Sequence, residues 1–172
     1  MSAWRHAVAI AVLPGTAAVV VPAVILATGE GPDVGWGEGA AAAALTVAAG
    51  AVLVAAGVAL WAWTVRLFAR LGHGTLAPWD PTRHLVVEGP YGHVRNPMIS
   101  AVLAVLVGEG LALGSPGILI WSAAFLAINA VYFVVSEEPG LERRFGEEYR
   151  AYKAAVPRWI PRRTPWERPR GV

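Results

Sequence analysis

Residues 39–65 read GAAAAALTVAAGAVLVAAGVALWAWTV, a run without one charged side chain. A membrane-crossing helix needs roughly 20 predominantly apolar residues at about 1.5 Å of rise each, so this run is long enough to span a bilayer. Upstream, Ala7 to Gly29 is also free of charge. With Arg5 before it, that stretch has the outline of a signal peptide. Its apolar run exceeds the roughly 7–15 residues of a signal core and no clean small-x-small cleavage site follows, so it reads as a retained helix. Pro14 and Pro22 within it are tolerable in lipid, where neighbouring groups satisfy the freed carbonyls. Downstream, Glu109 is the only charge between Pro97 and Ser136, and Gly114-Ser115-Pro116-Gly117 breaks that run in two. Ile99–Leu113 and Ile118–Val135 then form a helical hairpin, whose first arm is short for a full span and is tilted, re-entrant or extended by its flanks. The expected fold is an all-α membrane protein with about four transmembrane helices, the last two a tight hairpin, followed by a cytoplasmic amphipathic C-terminal helix. By this reading residues 1–65 are an N-terminal helix pair. Residues 66–172 comprise a cytoplasmic loop (66–97), the hairpin (98–136) and a C-terminal helix with a basic tail (137–172).

Composition agrees. Of 172 residues, 56% are hydrophobic and 15% charged, against about 25% charged in soluble domains. Disordered chains are poor in apolar residues, so disorder is excluded. The absence of cysteine removes disulfide scaffolds, thiolate metal sites and Cys nucleophiles. The placement of charge is more informative than its sum of +2. All 14 Lys and Arg fall at Arg5, between Arg66 and Arg95, or from Arg143 onward, whereas the loop 30–38 carries only Glu30, Asp33 and Glu38. With four helices the basic regions share one face, and the positive-inside rule puts both termini in the cytoplasm of a multi-pass cell-membrane protein.

The loop 66–97 is punctuated by glycine and proline and holds His73, His84, His93, Trp79 and Tyr91. The histidine spacings of 11 and 9 match no short ligand pattern, so no metal is expected. In the tail, Leu141, Phe145, Tyr149, Tyr152 and Val156 recur at spacings of 4, 4, 3 and 4, one face of a helix lying against the membrane. Trp159, Trp166 and the terminal arginines would anchor it there. Glu137 and Glu138 sit where the last membrane helix meets this tail, suited to face a cation where a lower dielectric strengthens attraction. Glu109 lies about 18 Å along its helix, at a depth where an ionisable group is by default functional, and Asn129 is a candidate hydrogen-bond partner.

Two segments together resemble a known family. Gly89-Pro90-Tyr91-Gly92-His93-Val94-Arg95-Asn96-Pro97 is similar to the GPYxxVRHP motif of the isoprenylcysteine carboxyl methyltransferases and the related phospholipid methyltransferases. Glu137-Glu138, Leu141, Phe145-Gly146, Tyr149, Tyr152 and Val156-Pro157 are similar to that family's EExxLxxxFGxxYxxYxxxVP signature. The resemblance implies an integral-membrane enzyme using S-adenosylmethionine, with a lipophilic small-molecule acceptor drawn from the bilayer, membrane lipids as surroundings and no nucleic acid. It places the cofactor against His84, Leu85, Val86, Tyr91, Asn96, Pro97, Met98, Ile99 and Glu137. Arg95 would pair with a carboxylate of cofactor or substrate, and Glu138 would accept a proton where the acceptor is an amine or hydroxyl. Three positions depart from the pattern. Asn96 stands for a histidine and cannot titrate, Phe133 stands for an arginine associated with substrate, and Ile99 stands for an aromatic. The nature of the acceptor therefore stays open. Two other readings compete: a nicotinamide-dependent sterol-type reductase, for which the chain is short, and a non-catalytic binding or assembly protein on the same scaffold.

Overall fold

The computed structural model of the chain describes residues 11–29, 31–34, 36, 39–72 and 84–168. His73 and Trp79, together with Arg5, Glu30 and Glu38, lie outside the described residues. Those described are helical or irregular, with no strand among them. A run of wide π-type turns over Ala11–Val20, holding Pro14, leads into helix α1 (Val21–Thr28). There follow α2 (Ala40–Leu67), α3 (Pro97–Leu113), α4 (Pro116–Tyr132) and α5 (Glu138–Ala155). Wide turns at Phe68–Gly72 and Phe133–Glu137 close α2 and join α4 to α5. Two helical stretches are long and apolar enough to cross a membrane: Ala40–Leu67 and the one that starts at Pro116 and includes α4. The apolar part of the second ends at Val135, and polar sequence follows. Pro14–Thr28 and Pro97–Leu113 are apolar but shorter.

The chain divides into two compact units. The first, a helical unit, comprises Ile10–Ala59 and Ile99–Ile128. Its outer surface is aliphatic: Leu45 is 73% exposed and Ile120 70%. A helix apolar on all sides needs a protein core or a bilayer around it, and these side chains have no core. Close approach of α2 to α3 rests on glycine, because a methyl group on Gly50 would lie 2.5 Å from the Gly108 carbonyl oxygen and one on Gly57 2.7 Å from that of Ala101. The indole Nε1 of Trp121 donates to the Ala17 carbonyl at 2.9 Å, tying α4 to the first helical run. The hairpin turns at Gly114, whose φ of +60° is open to glycine at little cost. Ser115 Oγ then accepts the Ile118 amide at 3.4 Å, capping α4. The acidic loop seats on this turn: a Cβ on Gly114 would overlap the Asp33 carbonyl, and Trp36 Nε1 donates to the Leu111 carbonyl at 3.3 Å. Glu109 is half-buried, and its Oε2 has no hydrogen-bond partner among the described residues.

The second, a loop-and-tail unit, comprises Leu60–Met98 and the described part of Asn129–Val172. Its core is Leu85, Val87, Tyr149, Tyr152 and Val156, with Leu141, Phe145 and Trp166 packed on it. The apolar stripe read from the spacing of the tail is therefore real, but its partner is different. It buries against the chain just before the Gly89–Gly92 turn, where alternate residues Leu85 and Val87 offer a matching apolar edge, and not against lipid. Trp159 stacks on Phe133 with ring centroids 5.8 Å apart, and Trp166 meets Tyr152 edge-on at 5.4 Å. Both indoles expected to anchor the tail in a membrane surface thus make internal contacts. Helix α5 is also not continuous. Gly146 sits at φ 53°, ψ −126°, outside the helical region, so a kink divides the helix midway.

Candidate functional site

Within the loop-and-tail unit, the segment Leu85–Val87 is buried and enters the one-turn helix Gly89–Gly92. Pro90 fits the first turn because its missing N–H would be unpaired there anyway. This turn carries Tyr91 inward, 7% exposed, against the Phe68 ring at 5.4 Å. The Tyr152 hydroxyl donates to the Tyr91 carbonyl at 2.7 Å, fixing the turn to α5. Burial, followed by the nearby charges of Tyr152 and Glu137, pushes the Tyr91 phenol well above its usual range.

Beyond Val135 two adjacent carboxyls experience opposite environments. Glu138 is buried, with its side chain 8% exposed, and three cations converge on it. Arg95 Nη1 reaches its Oε1 at 2.8 Å, Arg158 Nη2 the same oxygen at 2.7 Å, and Lys153 Nζ reaches Oε2 at 3.2 Å. Burial pushes this carboxyl up, but Arg158, Arg95 and Lys153 together outweigh it and hold the group below its ordinary value. A carboxylate so held is a weaker proton acceptor than an unpaired one. Arg95 Nη1 is paired with Glu138, while its Nε is buried with no hydrogen-bond partner among the described residues. For Glu137 the balance reverses: burial, then repulsion from Glu138, pushes its carboxyl up to about 7.

A cavity of about 590 Å³ opens in the same unit, within the roughly 300–1,000 Å³ usual for small-molecule sites. His84, Leu85 and Val86, three of the expected cofactor residues, line it, and its far wall is Pro165, Trp166, Glu167 and Arg168. Apolar side chains share the lining with the carboxylates of Glu88 and Glu167 and the guanidinium of Arg168. Asn96 and Met98 are half-buried and Pro97 fully buried, whereas Ile99 already belongs to the helical unit. Phe133, where an arginine was expected, is 4% exposed beneath Trp159 and has a packing role. His93 is also structural, its Nδ1 donating to the Arg162 carbonyl at 2.8 Å.

Sequence reasoning missed Lys153 and Arg158 as partners of Glu138, and missed Trp166 as a lining residue. Arg158 could have been found from its place directly after Val156-Pro157 at the end of the second motif. Nothing in the irregular tail singles out Trp166.

The signature of the phospholipid methyltransferases matches residues 45–148, more than half of the chain. The chain belongs to the phospholipid methyltransferase family. No curated protein and no solved structure matches it. The match begins within α2 and ends within α5, so the family signature spans Tyr91, Arg95 and the Glu137–Glu138 pair. Membership makes methyl transfer at a membrane its class of activity. The tail beyond residue 148, with the cavity wall at 165–168, lies outside the matched region.

Proposed function

We propose that the chain is a multi-pass membrane enzyme that binds S-adenosylmethionine in the cavity beside His84, Leu85 and Val86 and methylates a lipophilic acceptor from the bilayer. The observation that carries this reading is that three residues singled out by the family resemblance line one cavity of suitable size. The cofactor, when bound, supplies an electrophilic methyl on a sulfonium, so that a lone pair on the acceptor forms the new bond as the carbon–sulfur bond breaks to leave a neutral thioether.

The chain's own residues align, desolvate and handle the proton, the usual sources of rate in such a displacement. Leu85, Val86 and Val87 exclude water from one side of the site. Tyr91, whose phenol stays protonated and whose carbonyl accepts from Tyr152, fixes the turn that follows the lining segment. Glu137 is the group suited to take the proton of an amine or hydroxyl acceptor, since its carboxyl titrates near neutrality. Arg95 and Glu138 are positioning residues that hold the first motif against the second. In this reading α1 and α3 also cross the bilayer with the two longer helices, and the basic segments put the loop-and-tail unit and both termini in the cytoplasm.

The test is methyl transfer from isotopically labelled S-adenosylmethionine to a membrane-lipid extract by the purified protein, with mass spectrometry to name the product. A labelled lipid that disappears in Glu137→Gln supports the reading. Failure of the protein to bind S-adenosylmethionine overturns it.

A further inference from the structure

The segment after α5 has no regular secondary structure, yet its backbone is fastened along much of its length. The Arg95 amide donates to the Pro157 carbonyl at 2.9 Å, the Arg162 amide to His93 at 3.0 Å, and the Trp166 amide to Gly92 at 2.8 Å. Arg168 Nη2 adds a bond to the Leu85 carbonyl at 3.2 Å and an ion pair with Glu148 at 2.6 Å. These bonds lay the strap along the very stretch, 85–93, that holds three expected cofactor residues. A Cβ on Gly92 would come within 3.2 Å of Pro165, so the two backbones are in close contact. Trp166 is half-buried, steadied edge-on by Tyr152 at 5.4 Å, and lines the cavity. Of the two aromatics that could offer the cofactor's base an apolar slot, Tyr91 packs on Phe68 and Trp79 lies outside the described residues, and Trp166 is the largest flat apolar surface among the described lining residues.

We propose that Trp166 is a binding residue of this site, its indole the platform on which the purine base of a nucleoside cofactor stacks, so that the strap beyond the family-matched region completes the pocket. This rests on the methyltransferase reading above. Base–aromatic stacking is sequence-tolerant in chemistry and large in effect, and loss of one platform typically weakens binding by about tenfold or more. The base is shared by S-adenosylmethionine and by its demethylated product, so the effect must be equal for the two.

The experiment is equilibrium binding of S-adenosylmethionine, its demethylated product and adenosine to the full chain in lipid nanodiscs. Trp166→Leu keeps the backbone bond to Gly92 and should weaken all three by about tenfold, with the ratio of the first two unchanged. Trp166→Phe should recover most of the loss. As a check that does not depend on a variant, cofactor should slow hydrogen exchange at 162–168 in the unaltered protein. Unchanged affinities in Trp166→Leu, or unchanged exchange on binding, overturn the platform while leaving the methyltransferase reading intact. Absence of binding to the unaltered protein overturns both.

Discussion

Arg95 Nη1 donates to Glu138 Oε1 at 2.8 Å, a bond between the last turn of one sequence motif and the first residues of the other. Both side chains are buried, 12% and 8% exposed, and Arg158 and Lys153 join the same carboxylate. Removing one partner of a buried ion pair leaves uncompensated charge and costs about 3–5 kcal/mol, and the solvent access of Lys153 puts this site at the low end. Glu138→Ala should therefore destabilise the protein by about 3 kcal/mol. Denaturation in mixed micelles measures this, and a loss below about 1 kcal/mol would show the cluster to be ornamental.

The same carboxylate sets a pH response. Because its folded-state value lies below the ordinary 4.5, its stabilisation is fully present above that value and is lost as pH falls through the folded value. Stability should decline on acidification below about pH 4.5 in the parent and more gently in Glu138→Gln. Melting curves from pH 6 down to pH 3 compare the two, and parallel curves would contradict the assignment.

Glu137 responds in the opposite direction. A carboxyl raised from 4.5 to about 7 keeps its proton in the folded state where the unfolded chain has lost it, so this group's contribution to stability falls as pH rises between those values. Methyl transfer to an amine or hydroxyl acceptor should rise with pH through about 7 as the base is freed. Glu137→Gln should lower kcat by about 100-fold or more, abolish that rise, and stabilise the protein slightly above pH 7. An unchanged pH–rate profile in the variant would assign the base elsewhere.

Two glycines separate crowding from strain. Gly108→Val places its side chain against the Gly50 carbonyl and Val54, and overpacking of this kind costs about 1–3 kcal/mol or more. Gly146→Ala meets nothing within 4 Å, yet its φ of 53° with ψ −126° is accessible essentially to glycine alone, costing about 1–3 kcal/mol of backbone strain. Enlarging the side chain further, from Ala to Val, should worsen position 108 steeply and position 146 little. Thermal melts of the four variants show whether the two costs scale differently.

The long apolar helices, the hairpin at Gly114 and both motif segments are legible in the sequence, because each is a local pattern of hydropathy, breaker residues or spacing. The stripe Leu141–Val156 was legible as a stripe but not in its partner. Period alone names a buried face, and whether lipid or Leu85 and Val87 cover it depends on a contact more than 50 residues away in the chain. The same distance hid the duty of Glu138, whose partners Arg95 and Arg158 lie 43 and 20 residues off. Two adjacent glutamates look alike in sequence, and only the cations around one of them make Glu137 the group that titrates near neutrality. Trp159 and Trp166 fit the composition of an interfacial anchor, and no local signal distinguishes that from an indole seated on Phe133 or Tyr152.

The far wall of the cavity is formed by residues 165–168, which the ribosome adds only after the described helices and both motifs have been made. Helices and hairpin can insert and pack as they emerge, since chains fold from the N-terminus during synthesis. The pocket cannot follow that schedule. A nascent chain can hold the described helices and both motifs and still lack this wall of the cavity.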